Sequence, residues 1–308
     1  MPAASPELDL YDVFQPALTA MDNLVVLTNL SPAAERARRY AAQLAGPLGA
    51  RVVLLHVYQP PVLPAETGLA LTDVLPCDRE QVTDALRAIA EEMLVPTTVE
   101  VVDGAFGEAL EAAVARYQPL LLVLGLTATE NYFDAMLANR ALPLLRHSAY
   151  PALLVPETAA LLPPRRVVVG VDGEAFAVRD PASTVFQELL ATWQAVPTIT
   201  YTTTPDSSLS RNEVLRAVQA SGLVPGDTEV SFYQPLAQTP EAGLLQTAAE
   251  RNANLLVLLA RRRSFLGQLF HRSVTARVLR QATLPVLLLP VAEPAPAPAP
   301  ARSKAAAV

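Results

Sequence analysis

The sequence predicts an α/β fold built twice over, each half a parallel sheet with helices on both faces. Three observations carry this expectation. Leu121–Pro156 and Leu255–Pro290 both read as apolar run, loop, helix-like segment and apolar run closed by proline, and the step from Gly125 to Pro151 equals that from Leu259 to Pro285. The apolar runs are continuous rather than alternating, as strands buried on both faces require. A chain of 308 residues, 51% hydrophobic and only 17% charged, is long for one core and suits two domains.

Residues 1–21 read as an N-terminal arm, with Tyr11, Val13, Phe14 and Leu18 able to anchor it to a groove. The first domain is expected over 22–157. LVVLTNL (24–30) is a buried strand, after which Ser31 caps a helix with Pro32 in its first position and Gly46-Pro47 near its stop. RVVLLHVY (51–58) is the second strand. His56 within it reads as a packed, hydrogen-bonded residue, because no cysteine, serine motif or second histidine accompanies it. The Pro-rich loop Gln59–Asp78 exceeds an ordinary connection, which marks it as functional or mobile. A helix from Asp84 to Leu94, a strand TTVEVVDG (97–104), and a helix from Glu108 to Tyr117 then lead into LLLVLGL (120–126).

Residues 158–164 form a linker stiffened by Pro163-Pro164. The second domain, 165–291, opens with RVVVGVDG (166–173) and continues through a loop and helix over 174–193. VPTITYTT (196–203) is β-branched-rich and reads as a strand. A helix from Asn212 to Ser221 and a strand TEVSFYQP (228–235) follow, and Thr239-Pro240-Glu241 starts the next helix. Residues 292–308 form an Ala/Pro-rich tail, which lacks the N–H groups for a regular ladder and is expected to be extended and disordered.

Composition narrows the function. A formal net charge of −7 argues against binding to nucleic acid or anionic lipid. Cys77 is the single cysteine, so neither a disulfide framework nor a cysteine metal site is expected. The apolar runs are strand-length, short of the ~20 residues of a membrane span. The acidic N-terminus lacks a basic n-region, so a cytoplasmic protein is expected. GxSxG, HExxH and P-loop motifs are missing and the carboxylates are scattered, which assigns no catalytic residue and no metal ligand and makes a non-enzyme the expectation.

The order apolar strand, loop, Ser273-Val274-Thr275 at a helix start, then PVLLLP (285–290), resembles the C-terminal half of a universal stress protein (UspA-like) domain. With both repeats included, the resemblance covers 22–157 and 165–291. It implies two tandem Rossmann-like, UspA-type domains, each an open five-stranded parallel sheet with helices on both faces, in a stress-response protein. Members of this family pair their final strands across a two-fold axis. PALLVP (151–156) and PVLLLP are therefore expected to pair within the chain as an intramolecular pseudo-dimer, which covers two apolar edges. Any further partner would be another protein or a second copy.

Nucleotide-binding members of the family carry Gly-x-x-Gly, nine residues, then Gly-Ser/Thr, because phosphates need main-chain N–H groups that a Cβ would screen. Set on that pattern, the second repeat has Leu259, Arg262 and Arg272 for the glycines and retains Ser273; the first has Gly125, Ala128, Ala138 and then Asn139. The aspartate that ends strand one in the family is Asp172 in the second domain and Asn29 in the first. The resemblance therefore implies a degenerate cradle in both halves and no cofactor. The candidate contacts are Asp172, Arg262, Arg272, Ser273, Gly125 and Asn139. Plain structural roles compete: Ser273 and Asn139 suit N-caps, and Asp172-Gly173 suits a turn. The alternative is an ATP or other adenine-nucleotide switch, or a weak ATPase, using Asp172, Ser273 and the arginines of the second domain, in which Arg261, Arg262, Arg263 and Arg272 grip the anion.

Overall fold

A computed structural model describes residues 21–59, 78–127, 150–178, 180–226, 228–261 and 273–292. The arm before Met21, residues 60–77 of the long loop and the tail from residue 293 lie outside the described residues.

In the first half the elements are β1 (Asn23–Leu27), α1 (Pro32–Ala45), β2 (Arg51–Tyr58), α2 (Arg79–Glu91), β3 (Thr97–Asp103), α3 (Phe106–Tyr117), β4 (Leu121–Leu126) and β5 (Ala152–Pro156). The second half has β6 (Arg166–Gly170), β7 (Ala177–Val178), α4 (Ala182–Trp193), β8 (Val196–Thr200), α5 (Arg211–Ala220), β9 (Ser231–Tyr233), α6 (Pro240–Glu250), β10 (Leu255–Arg261), α7 (Val274–Gln281) and β11 (Val286–Ala292). Side-chain caps start these helices where the sequence offers them. Ser31, Asp78, Thr239 and Ser273 each accept from a first-turn N–H, and Ser210 with Glu213 forms a reciprocal box. Asp78 explains why α2 begins at Arg79, five residues before the expected start: the capping residue lies ahead of the apolar pattern.

Each half is a parallel sheet with the same strand permutation, β3-β2-β1-β4-β5 and β9-β8-β6-β10-β11. The two are not left open at their fifth strands. β5 and β11 pair antiparallel, with Leu153 opposite Leu287 and Leu154 opposite Val286, so the halves share one continuous sheet. This is the expected intramolecular pairing, and its cause is visible in the burial of both strands. β7, which the sequence did not suggest, extends the cover by pairing Val178 with Val291 beyond the end of β5. β9 spans only 231–233 of the expected 228–235, because it is an edge strand held by β8 alone.

Sheet alternation divides the core into two faces. One places Leu24, Val26, Leu153, Val169 and Leu287 under α1, α4 and α5. The other places Val25, Leu154, Val168 and Leu288 under α3, α6 and α7. His56 behaves as expected, its Nδ1 donating to the Thr28 carbonyl at 2.9 Å.

Across the seam, Glu188 of α4 has its pKa raised, first by partial burial and second by the like charge of Asp22 at the start of β1. The folded state therefore holds this proton more tightly than the unfolded chain. Stability is full below the ordinary Glu value of 4.5 and declines as pH rises through the higher folded value. Glu188→Gln is expected to raise stability at pH 7, by less than about 1 kcal/mol because the site is partly solvated, and to leave it unchanged at pH 4, as thermal unfolding at the two pH values would show.

Candidate functional site

The crevice at the C-terminal ends of β6 and β10 is built by adjacent parallel strands, as the doubly wound topology dictates. β6 delivers Val171 and Asp172 to its rim. Asp172 Oδ1 accepts from the Glu174 N–H at 3.1 Å, and in the first domain Asn29 Oδ1 accepts from the Ser31 N–H at 3.2 Å. The turn role expected of Asp172 is therefore present and shared by both halves.

Asp172 does more. Arg261, at the end of β10, meets it side-on: Nε lies 2.8 Å from Oδ2 and Nη2 lies 2.9 Å from Oδ1. The remaining guanidinium N–H groups reach the Ala175 and Glu174 carbonyls, each at 3.2 Å. Arg261 is only 5% exposed, while the Asp172 side chain is 47% exposed. The planar fork of Arg261 is directed at acceptors of its own chain. In the first domain the same two positions are Asn29 and Thr127, so the pair is either charged at both ends or neutral at both.

Ser273 Oγ accepts from the Ala276 N–H at 3.1 Å, the N-cap role. Arg262, Arg272 and Asn139 lie outside the described residues, as do Ala128 and Ala138. Gly125 has a structural duty. It sits in β4, where a methyl group would lie 2.2 Å from the Ala33 carbonyl oxygen and 2.7 Å from the Ala34 nitrogen. The first turn of α1 therefore rests directly on β4. Gly125→Ala is expected to push that turn away, costing about 1–3 kcal/mol in denaturant unfolding, since the obstacle is backbone.

This close approach separates the two halves. β1 reaches α1 through residues 28–31, whereas β6 reaches α4 through residues 171–181. In the second domain the C-terminal ends of β6, β8 and β10 and the starts of α6 and α7 surround a cavity of about 390 Å³. Leu259, at the position matching Gly125, lines it with Val171, Leu244 and Leu258; Tyr201, Thr202, Thr204, Ser207, Ser273 and Thr275 add hydroxyls. Sequence reasoning missed this cavity. Its signal was the Thr/Ser-rich stretch TYTTTPDSS (200–208), read only as a strand and its exit. Among the described residues, no group of three or more His, Cys, Asp or Glu side chains could hold a metal ion, and no helix is long and apolar enough to cross a membrane.

The family model described as "Universal stress protein family" matches residues 21–156 and again 164–290. The chain belongs to the universal stress protein family. It carries the family's domain twice. Solved structures similar to this universal stress protein include one from Archaeoglobus fulgidus DSM 4304, at 15% identity and TM-score 0.60, covering 87% of this chain and 98% of that one. A putative universal stress protein from Pseudomonas aeruginosa UCBPP-PA14 matches at 16% identity and TM-score 0.55, over 88% and 94% of the two chains. A functionally unknown protein from Pseudomonas aeruginosa PAO1 matches at 14% identity and TM-score 0.51, over 88% and 93%. At these identities the likeness concerns the fold alone. Among curated proteins, none matches the chain.

Proposed function

We propose that this tandem universal stress protein is a non-enzymatic regulatory binding protein of the stress response, with an adenine-nucleotide cradle that is degenerate in both domains. The observation that carries the reading is the bidentate Asp172–Arg261 contact: the one family aspartate present in the chain is engaged by a buried guanidinium of the same chain. The loss of glycines at Leu259, Arg262 and Arg272 supports it, because main-chain amides approach phosphates only where side chains allow. In the first domain Ala128 and Ala138 at two of the glycine positions, and Asn139 after them, support it further. The protein then works through protein contacts or a ligand other than a nucleotide.

Calorimetric titration of the full chain with ATP, ADP and AMP, each with magnesium, tests this. The expected result is no saturable heat at micromolar to high-micromolar nucleotide. Micromolar binding of any of the three would establish the nucleotide switch instead.

A further inference from the structure

One helix of the second domain sits on a polar seat where its counterpart in the first domain sits on an apolar one. The common strand permutation matches the two halves residue by residue: Leu27 of β1 lies beside Leu55 of β2, and Gly170 of β6 lies beside Thr200 of β8. The same registers match Val53 with Thr198. In the first domain Val53 and Leu55 pack with Leu110 and Ala113 of α3. In the second, strand alternation places Thr198, Thr200 and Thr202 on the matching face of β8, all three buried. α6 covers that face. Its Leu244 lies over Gly170, and Gly243 and Thr247 stand where α3 has Ala109 and Ala113.

Two of the hydroxyls at this interface are met: Thr202 Oγ1 donates to the Pro240 carbonyl and Thr247 Oγ1 to the Gly243 carbonyl. Thr200 is different. It is fully buried, and its hydroxyl has no hydrogen-bond partner among the described residues. Toward α7, Glu241 is only 8% exposed; its Oε1 lies 3.0 Å from Arg277 Nε without the alignment of a hydrogen bond, and its Oε2 has no partner among the described residues. The matching position in α3 is Gly107. Buried polar atoms left unpaired lower the cost of any motion that returns them to water. Gly243 and Thr247 are also weaker helix formers than the alanines of α3. Gly243 is fixed by its seat, since a methyl group there would lie 2.3 Å from Thr202 Cγ2.

We propose that α6 is a locally opening element, which leaves β8 while the shared sheet stays folded. Pro240 and Leu244 wall the second-domain cavity, so this motion opens the cavity from the side of α6. Such control of access goes beyond the reading of the cradle and holds whichever ligand the protein takes.

Hydrogen–deuterium exchange of the full chain, read by mass spectrometry and corrected for intrinsic rates, compares residues 244–250 of α6 with residues 110–117 of α3. The α6 amides are expected to exchange at least about tenfold faster, with rates that change little in low urea, as an opening that exposes little surface requires. Thr200→Val keeps the shape of the side chain and removes the unpaired hydroxyl; it is expected to slow α6 exchange about tenfold and to leave α3 as it was. Thr200→Ser keeps the hydroxyl and is expected to leave α6 fast. The comparison of α6 with α3 in the unaltered protein stands whether or not either variant folds. Protection of α6 equal to that of α3, or α6 exchange as steep in urea as that of β10, overturns the proposal. A folded Thr200→Val protein whose α6 exchanges as fast as before overturns it too.

Discussion

Leu287→Asp is expected to abolish cooperative folding of the whole chain rather than of one domain. Leu287 is fully buried in β11, opposite Leu153 of β5 in the first domain and beside Val257 of β10 in the second. A carboxylate there has no described cation beside it and must be buried charged or held protonated, at a cost of at least several kcal/mol. Domains of this size have about 5–15 kcal/mol to lose, so one substitution at the shared strand pair removes much of the margin of both halves. Leu236→Asp is the control, since Leu236 is 77% exposed and is expected to tolerate the change within about 0.5 kcal/mol. Circular dichroism with size-exclusion chromatography reads the result. A Leu287→Asp protein that retained its melting transition and its compact elution would show that the antiparallel seam does not hold the halves together.

The second large effect is an asymmetry between Asp172 and Arg261. Asp172→Ala leaves a guanidinium that is 5% exposed facing the Ala175 and Glu174 carbonyls at 3.2 Å and the Glu174 carboxylate at 3.9 Å, and is expected to cost about 2–4 kcal/mol. Arg261→Leu keeps an apolar stem in place, and the half-exposed Asp172 can return to water, so about 1–2 kcal/mol is expected. The double variant should be no less stable than Asp172→Ala alone, because the charge left unpaired by the single change is gone. Urea denaturation of the four proteins closes the cycle; strictly additive losses would show that the two side chains do not depend on each other.

Much of the fold was legible because continuous apolar runs mark buried parallel strands and Ser31, Thr239 and Ser273 mark helix starts, whereas the cap at Asp78 was read as the end of a loop. Two uninterrupted apolar edges showed that β5 and β11 need cover, and the resemblance to the family implied that they cover each other. What stayed hidden depends on distances between segments remote in sequence. Nothing local in ARRRS shows that Arg261 turns inward to Asp172. The cavity was invisible for a related reason. It lies where residues 170–172, 201–207, 240–244, 258–261 and 273–275 converge, whereas the residue types at the loop positions speak only of what a phosphate would need.

Native mass spectrometry of the full chain, isolated without added nucleotide, tests the claim about the lost cradle most directly. The account predicts that ATP, ADP and AMP are all missing from the spectrum, with the protein at its bare mass or carrying a ligand other than a nucleotide. A stoichiometric adenylate adduct that persists through buffer exchange would contradict it.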